Sequence, residues 1–433
     1  MQKIKFIDIT IFLLIILLPL SHMILMPQQI AGITGLNPVN LVWLIAFSWA
    51  YINKTPTIFG MSNFFNSKMV CFIFIYTLAT LWTVIDIESL KPPPSQTLTA
   101  SNILFGDFFK PLQFVITGWI IYKYSLYRGI NNINLSLEIL PILILVCAAY
   151  FYFFNVTPTE VNLTDPDYKA GRDAISSSIG FHANGLGGLS VSLFGYLIGT
   201  IEKPLKITRL FAICAVILII VISFSRMSYL ATLIIFFLVS RRLSLKHNLS
   251  ALAVGLFVIM LFLPQIITRI NYGVSDKKQD VNELSAGRVD GIWAPSWENI
   301  KTHPITGQGI YTIWKGKPNN SSSKKSNLSL PSHPHNAYLQ VMLDMGLIGM
   351  TLLFIFLVHF WKTSKYHSGF RFALISWLLM GLTGNSFYPS LFNCLIWIFY
   401  GLACAQMKLT QTNSKTESSV KIQKPKFAQS TAQ

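Results

Sequence analysis

Hydrophobic positions in this chain fall in long, nearly unbroken blocks parted by short polar breaks. They show neither the alternation of a half-buried strand nor the narrow stripe of a surface helix. A helix needs about 20 mostly apolar residues to cross roughly 30 Å of hydrocarbon. Twelve blocks approach that length, near 7–26, 38–52, 69–87, 103–122, 138–154, 183–201, 207–223, 227–240, 248–265, 337–359, 370–386 and 389–406. The second and eighth are short, and the fourth contains Asp107 and Lys110. The pattern predicts an all-α polytopic membrane protein of about 12 transmembrane helices. Helices one to nine occupy 1–265, a large external loop fills 266–336 before the tenth helix, and helices ten to twelve occupy 337–407. The basic polar tail, 408–433, is expected to be irregular and cytoplasmic. The first block follows Lys3 and Lys5 as a signal peptide would. It lacks a small-residue cleavage site and is followed by further spans, so it is expected to remain as an anchor.

Composition narrows the class. Of 433 residues 52% are hydrophobic and only 12% are charged, against about 25% charged in a soluble domain. That excludes a soluble globular enzyme and a disordered chain. The formal net charge of +17 would suggest nucleic acid in a soluble protein, but here it sorts by side. Loops on the side of the N-terminus, with the tail, hold 20 basic residues against four acids, whereas the opposite face is nearly balanced. The positive-inside rule makes the first face cytoplasmic, with both termini on it. The excess is therefore a topology signal and gives no ground for nucleic acid. The five cysteines all lie in or at the ends of apolar blocks, which suggests neither a disulfide framework nor a metal site.

Three polar elements fall on the opposite, external face. The first is Ser223-Phe224-Ser225-Arg226-Met227-Ser228, a break between two apolar runs. Arg226 stands on the side where positive residues are scarce, at or near the hydrocarbon edge where an arginine is costly; it reads either as a functional group or as a snorkelling residue. The second is Arg288, which follows Gly287 and precedes a short helix expected through Ile292, Trp293 and Trp297 and closed by Pro304 and Gly307-Gln308-Gly309. A solvated loop arginine is its plainer reading. The third is His333-Pro334-His335-Asn336 before the apolar run from Ala337. A helix N-terminus disfavours an imidazolium, and a neutral imidazole there accepts a proton as a general base does; a His-Asn cap is the alternative. No phosphate-binding glycine loop, paired-carboxylate signature or HExxH is present, so ATP-driven chemistry has no support.

Taken in order, these residues resemble the O-antigen ligase/polymerase superfamily. The resemblance rests on Ser225-Arg226, Gly287-Arg288 with Trp293, His303-Pro304-Ile305-Thr306-Gly307-Gln308-Gly309, and His335-Asn336 followed by Gly346 and Gly349. The spacing of His335-Asn336 to Gly346 and Gly349 matches the ligase motif in full, and Phe181 to Gly187 resembles the family's entry to a middle span. One departure is Asp344, where many members carry Glu. The resemblance implies transfer of a glycan from an undecaprenyl-diphosphate carrier to an acceptor hydroxyl at the periplasmic face of a bacterial inner membrane. The acceptor it favours is the lipid A-core of lipopolysaccharide. Polymerisation of lipid-linked repeat units and oligosaccharide transfer to protein stay open as alternatives within the superfamily, and a transporter or flippase outside it. Arg226 and Arg288 would bind the diphosphate as planar forks, His335 would act as base with His333 as a substitute, and Asn336 would orient base or substrate. An activated donor implies independence of ATP and of metal. The N-terminal third carries no matching motif and is expected to hold acceptor specificity.

Overall fold

The computed structural model describes residues 5–19, 29–30, 33–34, 37–53, 64–90, 99–154, 183–201, 206–223, 225–241, 260, 288–311, 334–384 and 393–422. In chain order these form α1 (Phe6–Leu17), a two-residue ladder of β1 (Gln29–Ile30) and β2 (Ile33–Thr34), α2 (Pro38–Ile52) and α3 (Ser67–Ile85). Next come α4 (Ala100–Ile103), a π-helical turn (Leu104–Phe109), α5 (Lys110–Arg128) and α6 (Asn131–Phe153). They are followed by α7 (Ala183–Gly199), α8 (Ile207–Ile222) and α9 (Arg226–Ser240). A second π turn (Val289–Trp293) leads into α10 (Ala294–Thr302), and α11 (Ala337–Ser364), α12 (Ser368–Gly381) and α13 (Asn393–Ile422) complete the chain.

Every predicted apolar run within the described residues carries a helix; the ninth, 248–265, lies outside them apart from Met260. Among the described residues, Ser67–Ile85, Asn131–Tyr150 and Ala337–Ser364 are long and apolar enough to cross a membrane, and five further apolar helices are shorter. Large apolar side chains such as Phe74, Phe211, Leu233 and Phe354 stand more than half exposed on them, as lipid-facing positions do. Two expectations need correction. The block at 103–122 is not one regular span, because it begins in the π turn that holds Asp107. The tail expected to be irregular from 408 continues α13 to Ile422: no glycine or proline interrupts 402–424, and nothing else there breaks a helix.

Local chemistry sets where the helices start. Asn37 caps α2 by accepting from Asn40 N at 2.8 Å, with Pro38 at the first helical position. Asn66 caps α3 through Met69 N at 3.0 Å. Small residues then set how close the helices come, as is common where helices pack in lipid. A Cβ on Gly195 of α7 would stand 2.8 Å from the Phe372 backbone of α12, and one on Gly118 of α5 would stand 2.6 Å from Trp397 O of α13.

The bundle has two chemically different ends. At one, charges are paired: Asp8 with Arg128 at 2.7 Å and Glu138 with Arg209 at 2.8 Å. A polar cavity of about 240 Å³ lies beside the second pair, lined by Asn131, Asn132, Asn134, Lys206 and Thr208 among others. His367 lies at this end, stacked on Tyr196 with ring centroids 5.4 Å apart. Its imidazole caps α12 by accepting from Phe370 N at 3.2 Å. The other end is formed by the starts of α7, α9 and α11 and the last turn of α12.

Burial pushes His367 down to about 4, below the usual 6.5. The unfolded chain then binds the proton more readily than the folded one. The resulting stability is fully present above pH 6.5 and is lost as the pH falls towards 4, by up to about 3 kcal/mol. Thermal unfolding of the purified protein in detergent should therefore shift downward from pH 7 to 4.5. His367→Asn, which keeps a capping side chain without a titrating group, should flatten part of that slope. An unaltered slope would assign the loss to other groups.

Candidate functional site

The site is built around the last turn of α12. Its final carbonyls lack intrahelical partners and are met by side chains distant in sequence. Asn336 Nδ2 donates to Leu382 O at 3.2 Å, and Arg288 Nη1 approaches Thr383 O at 3.5 Å. The other end of the Asn336 amide caps α11, its Oδ1 accepting from Tyr338 N and Leu339 N at 3.0 Å each. Trp293 Nε1 donates to Pro334 O at 2.9 Å, so the His335-Asn336 turn is gripped from two sides. His335 itself has φ +51°, a left-handed conformation that a non-glycine residue holds only where its surroundings over-determine it. Arg226 is the first residue of α9. Two residues on, Ser228 Oγ lies 3.8 Å from Met380 Sδ of α12. Arg288 and Asn336 therefore meet on residues 382–383, with His335 next to Asn336 in the chain, while the first turn of α9, which begins at Arg226, touches Met380 through Ser228.

Gly346 and Gly349 lie deeper, where α11 is interrupted. Gly346 takes φ +61° and ψ −156°, and the helical hydrogen bonds lapse. An unmet break in apolar surroundings is costly, because there is no water to satisfy the freed groups. The loop after α10 fills it. Gln308 N and Gly309 N donate to Leu343 O and Asp344 O at 3.0 Å each, capping the upper half. Leu347 N and Ile348 N donate to Pro304 O at 2.8 Å and Ile305 O at 3.2 Å, capping the lower half. Approach this close excludes side chains. A Cβ on Gly307 would run into the Asp344 backbone and one on Gly346 into the Ile305 backbone, and both residues have positive φ. One glycine from each motif, Gly307 and Gly346, thus serves this joint. Asp344 sits at its lip, 1% exposed, held by Gln340 Nε2 at 2.8 and 2.9 Å.

A polar network behind the joint was not anticipated from the sequence. Tyr311 OH donates to Asp107 Oδ2 at 2.9 Å, Tyr76 OH donates to Asp107 O at 2.5 Å, and Thr83 Oγ1 donates to Ile310 O at 3.0 Å. The Tyr311 phenol is held well above its ordinary range, by burial first and then by the Asp107 and Asp344 carboxylates. The N-terminal third therefore anchors the segment that docks into α11. The available signal was Asp107 itself, a carboxylate inside an apolar run. His333, Phe181, His182, Ser285 and Gly287 lie outside the described residues. Among the described residues no group of three or more His, Cys, Asp or Glu is placed to hold a metal ion.

Two comparisons bear on this geometry. The family model described as O-antigen ligase matches residues 210–354. That stretch runs from α8 through the interrupted turn of α11 and includes Arg226, Arg288, His335, Asn336, Gly346 and Gly349. Over that stretch the chain is similar to the O-antigen ligase family. It is also 27% identical over 162 residues to a Rickettsia felis protein named "Putative polysaccharide ligase", a match covering 35% of this chain and 38% of that protein. The chain thus matches well under half the length of that relative. The family match stops short of α12, yet α12 supplies the carbonyls on which the matched residues meet.

Gly346→Ala and Gly307→Ala should each destabilise the protein by about 2 kcal/mol or more, since each forces both a left-handed alanine and a backbone clash. Thr306→Ala, at an exposed position of the same loop, should cost less than about 0.5 kcal/mol. Melting temperatures in detergent decide the matter; equal shifts for all three would show that backbone docking is not what holds the joint.

Proposed function

We propose that the chain is a membrane glycosyltransferase that moves a glycan from undecaprenyl diphosphate to an acceptor hydroxyl, the lipid A-core of lipopolysaccharide, at the periplasmic face of the inner membrane. The observation that carries this reading is the meeting of Arg288 and the strained His335-Asn336 turn on the last turn of α12, with the first turn of α9, which begins at Arg226, touching Met380. The opposite end holds the basic loops and so faces the cytoplasm by the positive-inside rule; the gathered end then faces the periplasm, where lipid-linked glycans are presented.

The chemistry follows from the residues. The acceptor O–H gives its proton to the His335 imidazole as its oxygen attacks the anomeric carbon. The bond from that carbon to the diphosphate oxygen breaks, and the electron pair leaves with undecaprenyl diphosphate. Guanidinium groups stay charged in a low-dielectric site and take phosphate oxygens in a fork, so Arg226 and Arg288 hold the diphosphate and stabilise the charge it gains. Both ends of the Asn336 amide are engaged by the backbone, which gives it the task of fixing the turn that carries His335. His335 then returns its proton to water. The sugar–diphosphate bond supplies the free energy, so the reaction calls for neither ATP nor a metal.

Arg226→Ala, Arg288→Ala and His335→Ala should each lower transfer by at least about a hundredfold with membrane insertion unchanged. Arg226→Lys and Arg288→Lys should recover little, because a point charge does not replace a fork. Activity of any of the three alanine variants near the wild type would remove that residue from its role. Lipopolysaccharide gels of a strain lacking the chain, run beside its lipid-linked glycans, should show core without O-chain and polymer left on the carrier. Core bearing a single repeat unit would assign polymerisation instead.

A further inference from the structure

The polar cavity at the paired end of the bundle takes no part in the chemistry proposed above. It opens between α6 and α8, which pack against each other, at the end that the positive-inside rule turns to the cytoplasm. Its floor is the ion pair of Glu138 and Arg209, 4% and 6% exposed. Glu138 also accepts from Thr208 Oγ1 at 2.8 Å, and Arg209 Nη1 donates to Thr200 O. The two charges cancel, so the charge the cavity presents is that of Lys206, an exposed member of its lining.

Two asparagines of the lining use only one end of their amides. Asn134 Oδ1 accepts from Tyr196 OH at 2.5 Å, and Asn132 Nδ2 donates to Tyr124 OH at 3.0 Å. Asn134 Nδ2 and Asn132 Oδ1 meet no protein group among the described residues, and Lys206 meets no acid there. A cation, a donor and an acceptor therefore remain for a ligand. The apolar wall indicates what that ligand is attached to. Leu135 lines the cavity and is exposed, and further along the same two helices Val146, Leu210 and Phe211 are exposed as well, as positions in contact with hydrocarbon are. A soluble anion would leave this wall without a role. The volume of about 240 Å³ lies below the roughly 300 Å³ of the smallest pockets for drug-sized ligands, which is room for a headgroup and not for a sugar chain. Basic pockets between membrane helices on the cytoplasmic side take anionic lipid headgroups.

We propose that this cavity binds the phosphodiester headgroup of an anionic glycerophospholipid of the cytoplasmic leaflet. The Lys206 ammonium takes the phosphate as a point charge, and Asn134 Nδ2 donates to the same group. Asn132 Oδ1 accepts from a headgroup hydroxyl, while the acyl chains lie along α6 and α8 beside Leu135 and Leu210. One unbalanced positive charge in the lining matches the single negative charge of a phosphodiester. The site lies at the end opposite His335, and it stands or falls apart from the donor assignment made above.

The test uses the full chain, delipidated in detergent, with phosphatidylglycerol as the probe and native mass spectrometry and thermal shift as readouts. The wild type should retain the lipid and melt at a higher temperature with it. Lys206→Gln should bind it about fivefold more weakly, the worth of one lysine before an anionic lipid surface. Asn134→Asp keeps an acceptor for Tyr196 but replaces the donor with a negative charge, so it should bind more weakly still. Lys365→Gln, which removes an exposed lysine of the same end outside the cavity, should bind as the wild type does. Equal losses for Lys206→Gln and Lys365→Gln would overturn the site, reducing the effect to the attraction of a basic surface. Undiminished binding by Lys206→Gln or by Asn134→Asp would overturn it as well. Glycerol 3-phosphate binding as tightly as the whole lipid would overturn the lipid assignment and make the cavity a site for soluble phosphate esters.

Discussion

The interrupted turn of α11 and the loop that docks into it hold the candidate site in place. A helix broken in an apolar environment leaves carbonyls on one side of the break and N–H groups on the other. Residues 304–309 satisfy both sets with their own backbone. The upper piece of α11, which begins at the Asn336 cap, is fixed in direction by that docking. The loop is in turn tied back to the N-terminal helices through Ile310 and Tyr311. The His335 turn, the second π turn and α10 are thus parts of one assembly, joined by backbone docking at the break and by the side chains of Trp293, Thr83 and Tyr311.

The same assembly sets the electrostatics. At the paired end, Asp8 with Arg128 and Glu138 with Arg209 leave little unbalanced charge among the buried groups. At the other end, the starts of α7, α9 and α11 bring positive helix termini together, beside the carbonyl ends of α8 and α12. Arg288 lies 3.5 Å from Thr383 O, at the outer limit of a hydrogen bond. Under the proposed function, the helix starts and arginines at this end would favour the negative charge that the leaving diphosphate gains.

Span positions were legible because a hydrophobic block of sufficient length is a direct physical requirement of crossing lipid. Arg226 and His335 stood out as candidates because polar groups at the edges of such blocks are rare and costly, whereas Arg288, inside a loop, stood out only through the family resemblance. What could not be read was where they meet. Nothing in Leu382 or Thr383 marks them, since they act through backbone carbonyls that every residue possesses. The glycines at 307 and 346 were visible as parts of motifs, but their reason, two backbones too close for any Cβ, exists only in three dimensions. Asp107 weakened the reading of a regular fourth span, and the structure gives the cause: a π turn whose carboxylate serves Tyr311. The continuation of α13 to Ile422 was missed because a polar composition was weighed above the absence of any helix-breaking residue.

Because the docking of residues 304–309 into α11 is made backbone to backbone, it places unequal constraints on mutational drift. Ile305, Thr306 and Gln308 contribute peptide groups to the joint or flank those that do, and most side chains offer the same peptide group. Gly307 and Gly346 contribute the space in which the two chains touch, and no other residue offers that. The surface of this loop is therefore free to change in sequence while its glycine punctuation stays fixed. Variation there would be expected to leave the scaffold intact, because what the joint uses is the peptide group.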